Sequence, residues 1–272
     1  MGYISEKVKK VTANAIMDMK RQGERISMLT SYDFTMAGIV DGAGVDCILV
    51  GDSASNVMQG NDTTVPITTD EMIVYARGVA RAAHRAMVIC DMPFGSYQVS
   101  EEEGVRNAVR MVKESGVDGL KLEGGSEIAQ LVEHIVAAGI PVCGHLGLTP
   151  QSIHKFGTYA VRARETEEAE KLVADAHALQ AAGCFAVVLE KIPAELADRV
   201  TRELRIPTIG IGAGPECDGQ VLVLQDMLDM NIGFKPKFLR HYAHLHDDIT
   251  AAVGAYVADV KARRFPSADE GY

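Results

Sequence analysis

The sequence predicts an α/β fold, a single (β/α)8 barrel of the TIM type with a helix ahead of the first strand. Short apolar runs recur along the chain without polar alternation, which is typical of strands buried on both faces of a parallel sheet. Helix-start and helix-end signals lie between these runs. Five of the runs end in a carboxylate or a histidine, namely Asp52, Asp91, Glu123, His145 and Glu190.

The strands follow one another at a spacing that suits βαβ units. The eight predicted strands are 26–32, 47–50, 87–91, 119–123, 142–145, 186–190, 206–211 and 221–224. The intervals between successive polar strand ends vary around the roughly 30 residues of one βαβ unit. An open Rossmann sheet is disfavoured because no G-x-G-x-x-G motif follows the first strand. In parallel neighbours the carboxyl ends of all strands meet at one rim, where barrel enzymes carry their sites.

The helix signals are local. Thr68 with Glu71 and Ser100 with Glu103 have capping-box spacing and should each start a helix. Glycines before the strands, among them Gly116, are predicted to end helices in the left-handed conformation. Apolar spacing predicts a leading helix over residues 5–21 and a C-terminal helix over 238–262, and a long loop over the rim follows Ser53. We therefore expect a leading segment (1–25), one barrel domain (26–262) and a tail (263–272).

Composition excludes several classes of protein. The 272 residues are 47% hydrophobic, and 37 acidic against 27 basic residues give a formal net charge of -10, which argues against nucleic-acid binding. No apolar stretch reaches the roughly 18 residues of a membrane span, so no membrane partner is expected. The five cysteines form no C-x-x-C pair and four lie in or at the start of predicted strands. They are interpreted as buried hydrophobes in a reducing cytoplasm.

Three carboxylates are candidate metal ligands. Asp52, Asp91 and Glu123 lie at the carboxyl ends of three successive predicted strands. Each Asp could instead cap the helix that follows it. Three oxygen ligands that converge on one rim suit Mg²⁺, which leaves positions open for water and substrate. A soft-metal site is disfavoured because no Cys or His has ligand spacing beside them.

Lys121, His145 and Glu190 each have a functional and a structural interpretation. Lys121 and Glu123 share one strand face, so they form either a local ion pair or a cation beside a metal ligand. His145 is either a structural residue or a member of the site. Glu190 either pairs with Lys191 or acts as a general base at an apolar barrel mouth.

Two further patterns carry weaker signals. Gly210, Gly212 and Gly214 follow the seventh strand, but spaced glycines without a lysine are a weak phosphate signal, so close backbone packing or substrate access is preferred. His241, His244 and His246 fall in the predicted C-terminal helix. There a solvated helix face is preferred over a metal site.

Several motifs carry a resemblance to a known family. They are T-S-Y-D at 30–33, V-G-D-S at 50–53, the loop 59–64 with Val65-Pro66, D-M-P-F at 91–94, K-L-E-G-G at 121–125, C-G-H-L-G-L-T-P-Q-S at 143–152, V-L-E at 188–190 and I-G-I-G-A-G at 209–214. In this order, over residues 28–238, the chain resembles the ketopantoate hydroxymethyltransferase family. The block at 143–152 is the most specific. Residues 54–56, A-S-N, depart from the commoner L-G-M of the family.

The resemblance implies a function. The chain would transfer a hydroxymethyl group from 5,10-methylenetetrahydrofolate to 3-methyl-2-oxobutanoate through a Mg²⁺-stabilised enolate, forming 2-dehydropantoate for pantothenate synthesis. One Mg²⁺ in each subunit would be bound by Asp52, Asp91 and Glu123, the last directly or through water. Glu190 would accept the proton. The resemblance implies that the 2-oxo acid contacts Asp52, Ser53, Asp91, Lys121 and His145. It also implies that the enzyme is a cytoplasmic homodecamer.

Two alternatives remain open on sequence alone. A Mg²⁺-dependent lyase or mutase of the phosphoenolpyruvate-mutase type would share the barrel and its acidic rim, but such an enzyme is expected to carry a nucleophile or a cysteine in its lid loop. The loop at 54–66 has no cysteine. A non-catalytic oxo-acid sensor would not need Glu190, so its Glu190→Gln variant should bind and signal normally.

Overall fold

Eight parallel strands close into a barrel in the computed structural model, which describes residues 9–272 apart from 232 and 234. Each strand pairs with the next along the chain, and the last pairs with the first. The strands are β1 Ile26–Thr30, β2 Cys47–Val50, β3 Met87–Asp91, β4 Gly119–Glu123, β5 Val142–Gly147, β6 Ala186–Glu190, β7 Thr208–Ile211 and β8 Gly219–Leu222. The predicted (β/α)8 barrel is confirmed.

Helices alternate with the strands. They are α1 Ala13–Gln22, α2 Phe34–Gly42, α3 Ala54–Val57, α4 Thr69–Ala82, α5 Glu101–Ser115, α6 Ala129–Ala137, α7 Ile153–Phe156, α8 Thr166–Ala181, α9 Ala194–Glu203, α10 Leu224–Met227 and α11 Leu245–Lys261, with 3-10 turns at Ser126–Ile128, Pro150–Ser152 and Ala268–Glu270. The chain forms two compact units. One runs to Val223 and contains the barrel strands, and the other, Leu224–Tyr272, contains α10 and α11.

The predicted helix caps are present. The Thr68 hydroxyl accepts the N–H of Glu71, and the Glu71 carboxylate accepts the N–H of Thr68, so both halves of a capping box form at α4. At α5 the Ser100 hydroxyl accepts the N–H of Glu103. Gly116 follows α5 with φ of 81°, a left-handed conformation that glycine adopts without steric cost. Local side-chain chemistry thus sets these helix boundaries.

The first helix and the last strand differ from the prediction. Helix α1 begins at Ala13 because Thr12 caps it, its hydroxyl accepting the N–H of Ala15. The predicted residues 5–8 lie outside the described residues. Strand β8 begins at Gly219, two residues early, because a glycine there allows close backbone approach. A Cβ at this position would lie 2.5 Å from the carbonyl oxygen of Ile26.

Two loop boundaries also differ. The segment after Ser53 was predicted as a loop, but it opens with the short helix α3. Helix α11 begins at Leu245 and not at 238, since the preceding residues use their N–H groups elsewhere. The N–H of Tyr242 donates to the carbonyl of Met227, and that of Leu245 donates to Leu228. None of the helices in the described part of the chain combines the length and the apolar character of a membrane span.

The barrel interior is apolar over most of its length. Alternate residues of the strands meet there, and Ile16 of α1 joins the same cluster. The strand residues of this core are Ile26, Met28, Cys47, Leu49, Met87, Ile89, Cys143, Ala186, Val188, Ile209 and Val221. All five cysteines are free and buried, in line with their interpretation as small hydrophobes.

Candidate active site

The barrel interior becomes polar at the carboxyl ends of its strands. On β3 the core residues Met87 and Ile89 are followed two positions later by Asp91, and on β5 Cys143 is followed by His145. Side chains two apart share a face of a strand, so these polar groups continue the interior layers. The register pairs Asp91 with Lys121 and places Glu123 opposite His145. The resulting polar layer is Asp91, Lys121, Glu123, His145 and Glu190.

Asp52 and Ser53 reach this layer from the turn after β2. The N–H of Asp52 donates to Asp91 Oδ2 at 3.0 Å, which ties the turn to the neighbouring strand. Ser53 Oγ lies 2.8 Å from the hydroxyl of Tyr32. A Cβ at Gly51 would lie 2.8 Å from Ser53 Oγ, so glycine at this position leaves room for the present orientation of the Ser53 hydroxyl. The structure therefore places all the predicted site residues at the same end of the barrel.

Each of the three carboxylates has one oxygen held by a hydrogen bond. Asp52 Oδ2 accepts from a side-chain amide at 2.9 Å, Asp91 Oδ2 accepts the Asp52 N–H, and Glu123 Oε2 accepts a backbone N–H at 3.0 Å. Of the other oxygens, Asp91 Oδ1 is paired with the ammonium of Lys121, whereas Glu123 Oε1 is buried and accepts no hydrogen bond of good geometry from the described residues. Such a buried, under-satisfied oxygen is unfavourable unless a cation or a proton occupies the site.

Lys121 links the carboxylates to His145. Its Nζ lies 2.9 Å from Asp91 Oδ1 and 3.1 Å from His145 Nδ1. An ammonium group only donates, so Nδ1 must accept and the imidazole proton sits on Nε2. That Nε2 is buried, 3.4 Å from Glu190 Oε2, and without an aligned hydrogen-bond partner among the described residues. His145 thus presents a donor toward Glu190 and the barrel mouth.

The electrostatics of the layer follow from burial and from the crowding of charge. Burial raises the pKa of Asp52 well above its ordinary value, and the charges of Asp91 and Glu123 raise it further. Burial lowers the pKa of Lys121, but the attraction of the three carboxylates outweighs this and the net shift is upward. Burial lowers the pKa of His145, as does the charge of Lys121, so its imidazole is neutral at pH 7. Lys121 therefore remains the fixed cation of the layer.

The donor set fits a hard divalent cation. Glu123 Oε1 lies 3.2 Å from His145 Nδ1, which already accepts from Lys121, so two acceptors face each other there. A proton on Glu123 or a cation beside it would remove this conflict. Buried carboxylates are the ligand type that Mg²⁺ prefers, and Asp52, Asp91 and Glu123 supply three of them. The residues present therefore suit the cation that the sequence predicted.

Glu123 gives the cation-free protein a predicted pH dependence. Burial raises its pKa from 4.5 to about 7; Lys121 opposes the shift and Asp91 adds to it. Between pH 4.5 and about pH 7 the folded state therefore binds more protons than the unfolded chain. The free energy of unfolding falls as the pH rises through this range. At about 1.4 kcal/mol for each tenfold change in proton affinity, the loss is on the order of 3 kcal/mol.

Urea unfolding in EDTA measures this effect. The free energy of unfolding of the wild type, relative to that of Glu123→Gln, should fall by this amount between about pH 5 and about pH 8. The comparison cancels contributions from other titrating groups that the two proteins share. A difference between the two proteins that stays constant with pH would contradict the pKa assigned to Glu123.

The remaining patterns have structural explanations. A Cβ at Gly210 would lie 3.0 Å from Cys217 Sγ, and one at Gly214 would lie 2.5 Å from the Cβ of Ala194, as close backbone packing requires.

Only His246 lies within α11, so the prediction that all three C-terminal histidines are helical was wrong. His244 is the N-cap of α11, and His241 precedes it. Both contact Asp229, at 2.8 and 3.5 Å.

Sequence reasoning missed two residues of the layer. Gln151 provides both the amide that binds Asp52 and the backbone N–H that binds Glu123. The Tyr97 hydroxyl contacts the Gln151 amide at 2.8 Å and accepts the N–H of Glu123 at 3.1 Å. The available signal was the position of Gln151 inside the specific block at 143–152. No local pattern singled out Tyr97.

Comparison with known proteins shows that this chain is similar in sequence to others over its whole length. The family model described as ketopantoate hydroxymethyltransferase matches residues 10–268. A 3-methyl-2-oxobutanoate hydroxymethyltransferase of Bacteroides thetaiotaomicron is 64% identical over 271 residues, which cover 100% of this chain and 99% of the relative. A protein of the same name from Christiangramia forsetii is 59% identical over 272 residues, 100% of both chains.

Among solved structures, the fold recurs at low sequence identity. The 2,3-dimethylmalate lyase, a member of the PEP mutase/isocitrate lyase superfamily, superposes with a TM-score of 0.61 at 16% identity. The match covers 92% of this chain and 87% of the lyase. At this identity the likeness shows a common barrel fold and carries nothing about chemistry.

Proposed function

This chain belongs to the ketopantoate hydroxymethyltransferase family and is an enzyme, and we propose that it transfers a hydroxymethyl group from 5,10-methylenetetrahydrofolate to 3-methyl-2-oxobutanoate. The product is 2-dehydropantoate, a precursor of pantothenate and coenzyme A. One observation carries the proposal, namely the buried layer in which three carboxylates, one with an oxygen that lacks a hydrogen-bond donor among the described residues, lie beside a lysine, a neutral histidine and a further carboxylate. This layer has the groups needed to bind a 2-oxo acid and remove its C3 proton.

Asp52, Asp91 and Glu123 would hold one Mg²⁺ in each subunit. All three are less than a tenth exposed, which limits competition from water. Bound there, Mg²⁺ would supply Lewis-acid polarisation of the keto group of a chelating 2-oxo acid. The hydrogen bonds to Asp52 Oδ2, Asp91 Oδ2 and Glu123 Oε2 fix the orientation of the carboxylates before any cation arrives.

Lys121 and Ser53 are proposed to receive the substrate carboxylate. Lys121 is buried and keeps its charge, so it attracts an anionic substrate into the barrel mouth. Ser53 is held by Tyr32 at the edge of the layer and adds a hydroxyl. His145 contributes its Nε2–H, a neutral donor beside the reacting carbons, and Asp52 and Asp91 complete the substrate side of the pocket. This arrangement suits the carboxylate and keto groups of a 2-oxo acid.

Glu190 is the proposed general base. Its side chain is 17% exposed, whereas those of Lys121 and His145 are each 4% exposed, so it lies at the outer edge of the layer where substrate would enter. Its carboxylate would take the C3 proton of 3-methyl-2-oxobutanoate, and the C3 electron pair would then attack the methylene carbon of the folate donor. Both bonds from that carbon to the folate nitrogens break, water supplies the hydroxyl group, and tetrahydrofolate leaves with one proton from C3 and one from water. His145 Nε2 lies 3.4 Å from Glu190 Oε2, so it can help to orient the carboxylate toward the substrate.

The lyase alternative lacks a supporting observation. Such an enzyme was expected to carry a nucleophile or a cysteine on the lid loop, but all five cysteines of this chain are buried. The superposed lyase shares the fold at 16% identity only, whereas the hydroxymethyltransferase relatives share 58–64% of their residues over nearly the whole chain. Fold alone cannot favour the lyase chemistry.

We also propose that the enzyme works as a cytoplasmic homodecamer, as the family resemblance implied. One face of α11 supports subunit contacts, because apolar side chains recur along it at helical spacing while each stays 41–57% exposed. These residues are Ile249, Val253, Tyr256, Val257 and Val260. Light scattering of the purified enzyme measures the number of subunits.

Product analysis tests the proposed reaction. Purified enzyme is incubated with Mg²⁺, 3-methyl-2-oxobutanoate and the folate donor labelled with ¹³C at its methylene carbon. The proposal predicts ¹³C in the hydroxymethyl group of 2-dehydropantoate, and none when EDTA replaces Mg²⁺. Parallel incubation with 2,3-dimethylmalate tests the lyase alternative. Cleavage of that acid without labelled 2-dehydropantoate would overturn the proposed function.

A further inference from the structure

Gln151 lies at the centre of the polar layer without a role in the proposed chemistry. It sits in the 3-10 turn Pro150–Ser152, directly after β5, and its side chain is buried. We propose that Gln151 is a positioning residue, which holds one oxygen of Asp52 and one of Glu123 so that the other oxygen of each carboxylate is available to a divalent cation. This inference rests on the proposed function, since it assigns the cation site to these carboxylates.

The side-chain amide of Gln151 has a fixed orientation. Its Nε2 donates to Asp52 Oδ2 and to the carbonyl of Met92, each at 2.9 Å. Its Oε1 accepts from the hydroxyl of Tyr97 at 2.8 Å and from the amide of Gln98 at 3.3 Å. Both partners on the nitrogen side only accept, and the Gln98 amide nitrogen on the oxygen side only donates, so a flipped amide would lose these three bonds.

The backbone of Gln151 holds the second carboxylate. Its N–H donates to Glu123 Oε2 at 3.0 Å. One residue therefore occupies Asp52 Oδ2 with its side chain and Glu123 Oε2 with its main chain. Glu123 Oε1, which accepts no hydrogen bond of good geometry from the described residues, is the atom that this arrangement reserves. The same residue thus decides which oxygen of each carboxylate is available.

Tyr97 braces this arrangement from the other side. Its hydroxyl accepts the N–H of Glu123, the residue that ends β4, and contacts the Gln151 amide with its own hydrogen. The phenol is buried, and its hydroxyl has two acceptors within reach, Gln151 Oε1 at 2.8 Å and the carbonyl oxygen of Glu123 at 3.1 Å. Strand β4 and the turn after β5 are thereby locked in one register at the candidate cation site.

Other side chains cannot replace the glutamine. Methionine has similar length but neither donor nor acceptor, so Asp52 Oδ2 would lose its partner. Glutamate would set a fourth carboxylate against Asp52. Loss of a hydrogen-bond partner of a metal ligand typically weakens metal binding 10–100-fold.

The test measures cation binding without substrate. Isothermal titration with Mg²⁺, and with Mn²⁺ as a second probe, compares wild type, Gln151→Met and Gln180→Met at constant pH. Gln180 is the matched control, since its amide oxygen accepts backbone N–H groups of Arg205 and Ile206 away from the layer. We expect about 10–100-fold weaker binding for Gln151→Met and unchanged binding for Gln180→Met.

Two further measurements separate positioning from general damage. At saturating Mg²⁺ the kcat of Gln151→Met should return close to that of the wild type, because excess cation compensates for weak binding but not for a misfolded site. Asp52→Asn serves as the reference for a lost ligand. If Asp52→Asn binds weakly but Gln151→Met binds as the wild type does, the inference is overturned and the proposed function stands. If neither variant changes cation affinity, the carboxylate site itself is wrong, and the inference falls with it.

Discussion

Replacing Glu190 by glutamine is expected to lower kcat by about 10²–10⁴-fold, the usual contribution of a positioned general base. Glutamine keeps the shape of the side chain and cannot accept the C3 proton. His145 Nε2, 3.4 Å from Glu190 Oε2, is a donor in the neutral imidazole and cannot take over that role. Steady-state kinetics with both substrates at saturating Mg²⁺ gives the effect on kcat directly.

The variant should keep its cation and its fold. Glu190 is not among the proposed ligands, so Mg²⁺ affinity and the free energy of unfolding are expected to stay near their wild-type values. Glu195→Gln is the matched control, because Glu195 is exposed in the first turn of α9, five positions further along the chain. A Glu190→Gln enzyme with kcat close to that of Glu195→Gln would remove Glu190 from the mechanism.

Replacing Lys121 by methionine is expected to destabilise the cation-free protein by about 3–5 kcal/mol, as loss of one partner from a buried ion pair does. Lys121 is 4% exposed and its Nζ lies 2.9 Å from Asp91, with Asp52 and Glu123 also close enough to raise its pKa. Without it the carboxylates have no cation in the layer. Urea unfolding in EDTA at about pH 8 measures the loss, and added Mg²⁺ should recover part of it.

Arg106→Met provides the comparison for this variant. Arg106 pairs with Glu102 one helical turn away in α5, and the two side chains are 73% and 84% exposed. An exposed pair of this kind contributes about 0–1 kcal/mol. Equal effects of the two substitutions would mean that Lys121 is not the compensating charge of the layer.

The barrel could be predicted from the sequence because the signals for its strands and helix boundaries lie within short segments of the chain. Each strand is an apolar run, and each helix boundary carries its own cap, as the reciprocal bonds of Thr68 and Glu71 demonstrate. The polar layer could also be anticipated, since residues two apart share a strand face and parallel strands end at the same rim. Asp91, His145 and Glu190 lie together for that reason.

What could not be predicted depends on contacts between distant residues. Gln151 meets Asp52 across 99 positions of sequence and Tyr97 across 54. Neither contact leaves a periodic or spacing signal. The early start of β8 is similar, because Gly219 and Gln220 are not apolar and their place in the barrel follows from the close approach of Ile26.

The central claim is that Asp52, Asp91 and Glu123 with a cation, and Glu190 as base, activate C3 of a 2-oxo acid. Proton NMR of 3-methyl-2-oxobutanoate in D₂O tests it most directly, because exchange at C3 needs no folate. We expect the C3 proton signal to disappear with wild type and Mg²⁺, and to persist with EDTA or with Glu190→Gln. Exchange that continues in the Glu190→Gln enzyme, or no exchange with wild type saturated in both Mg²⁺ and substrate, would contradict it.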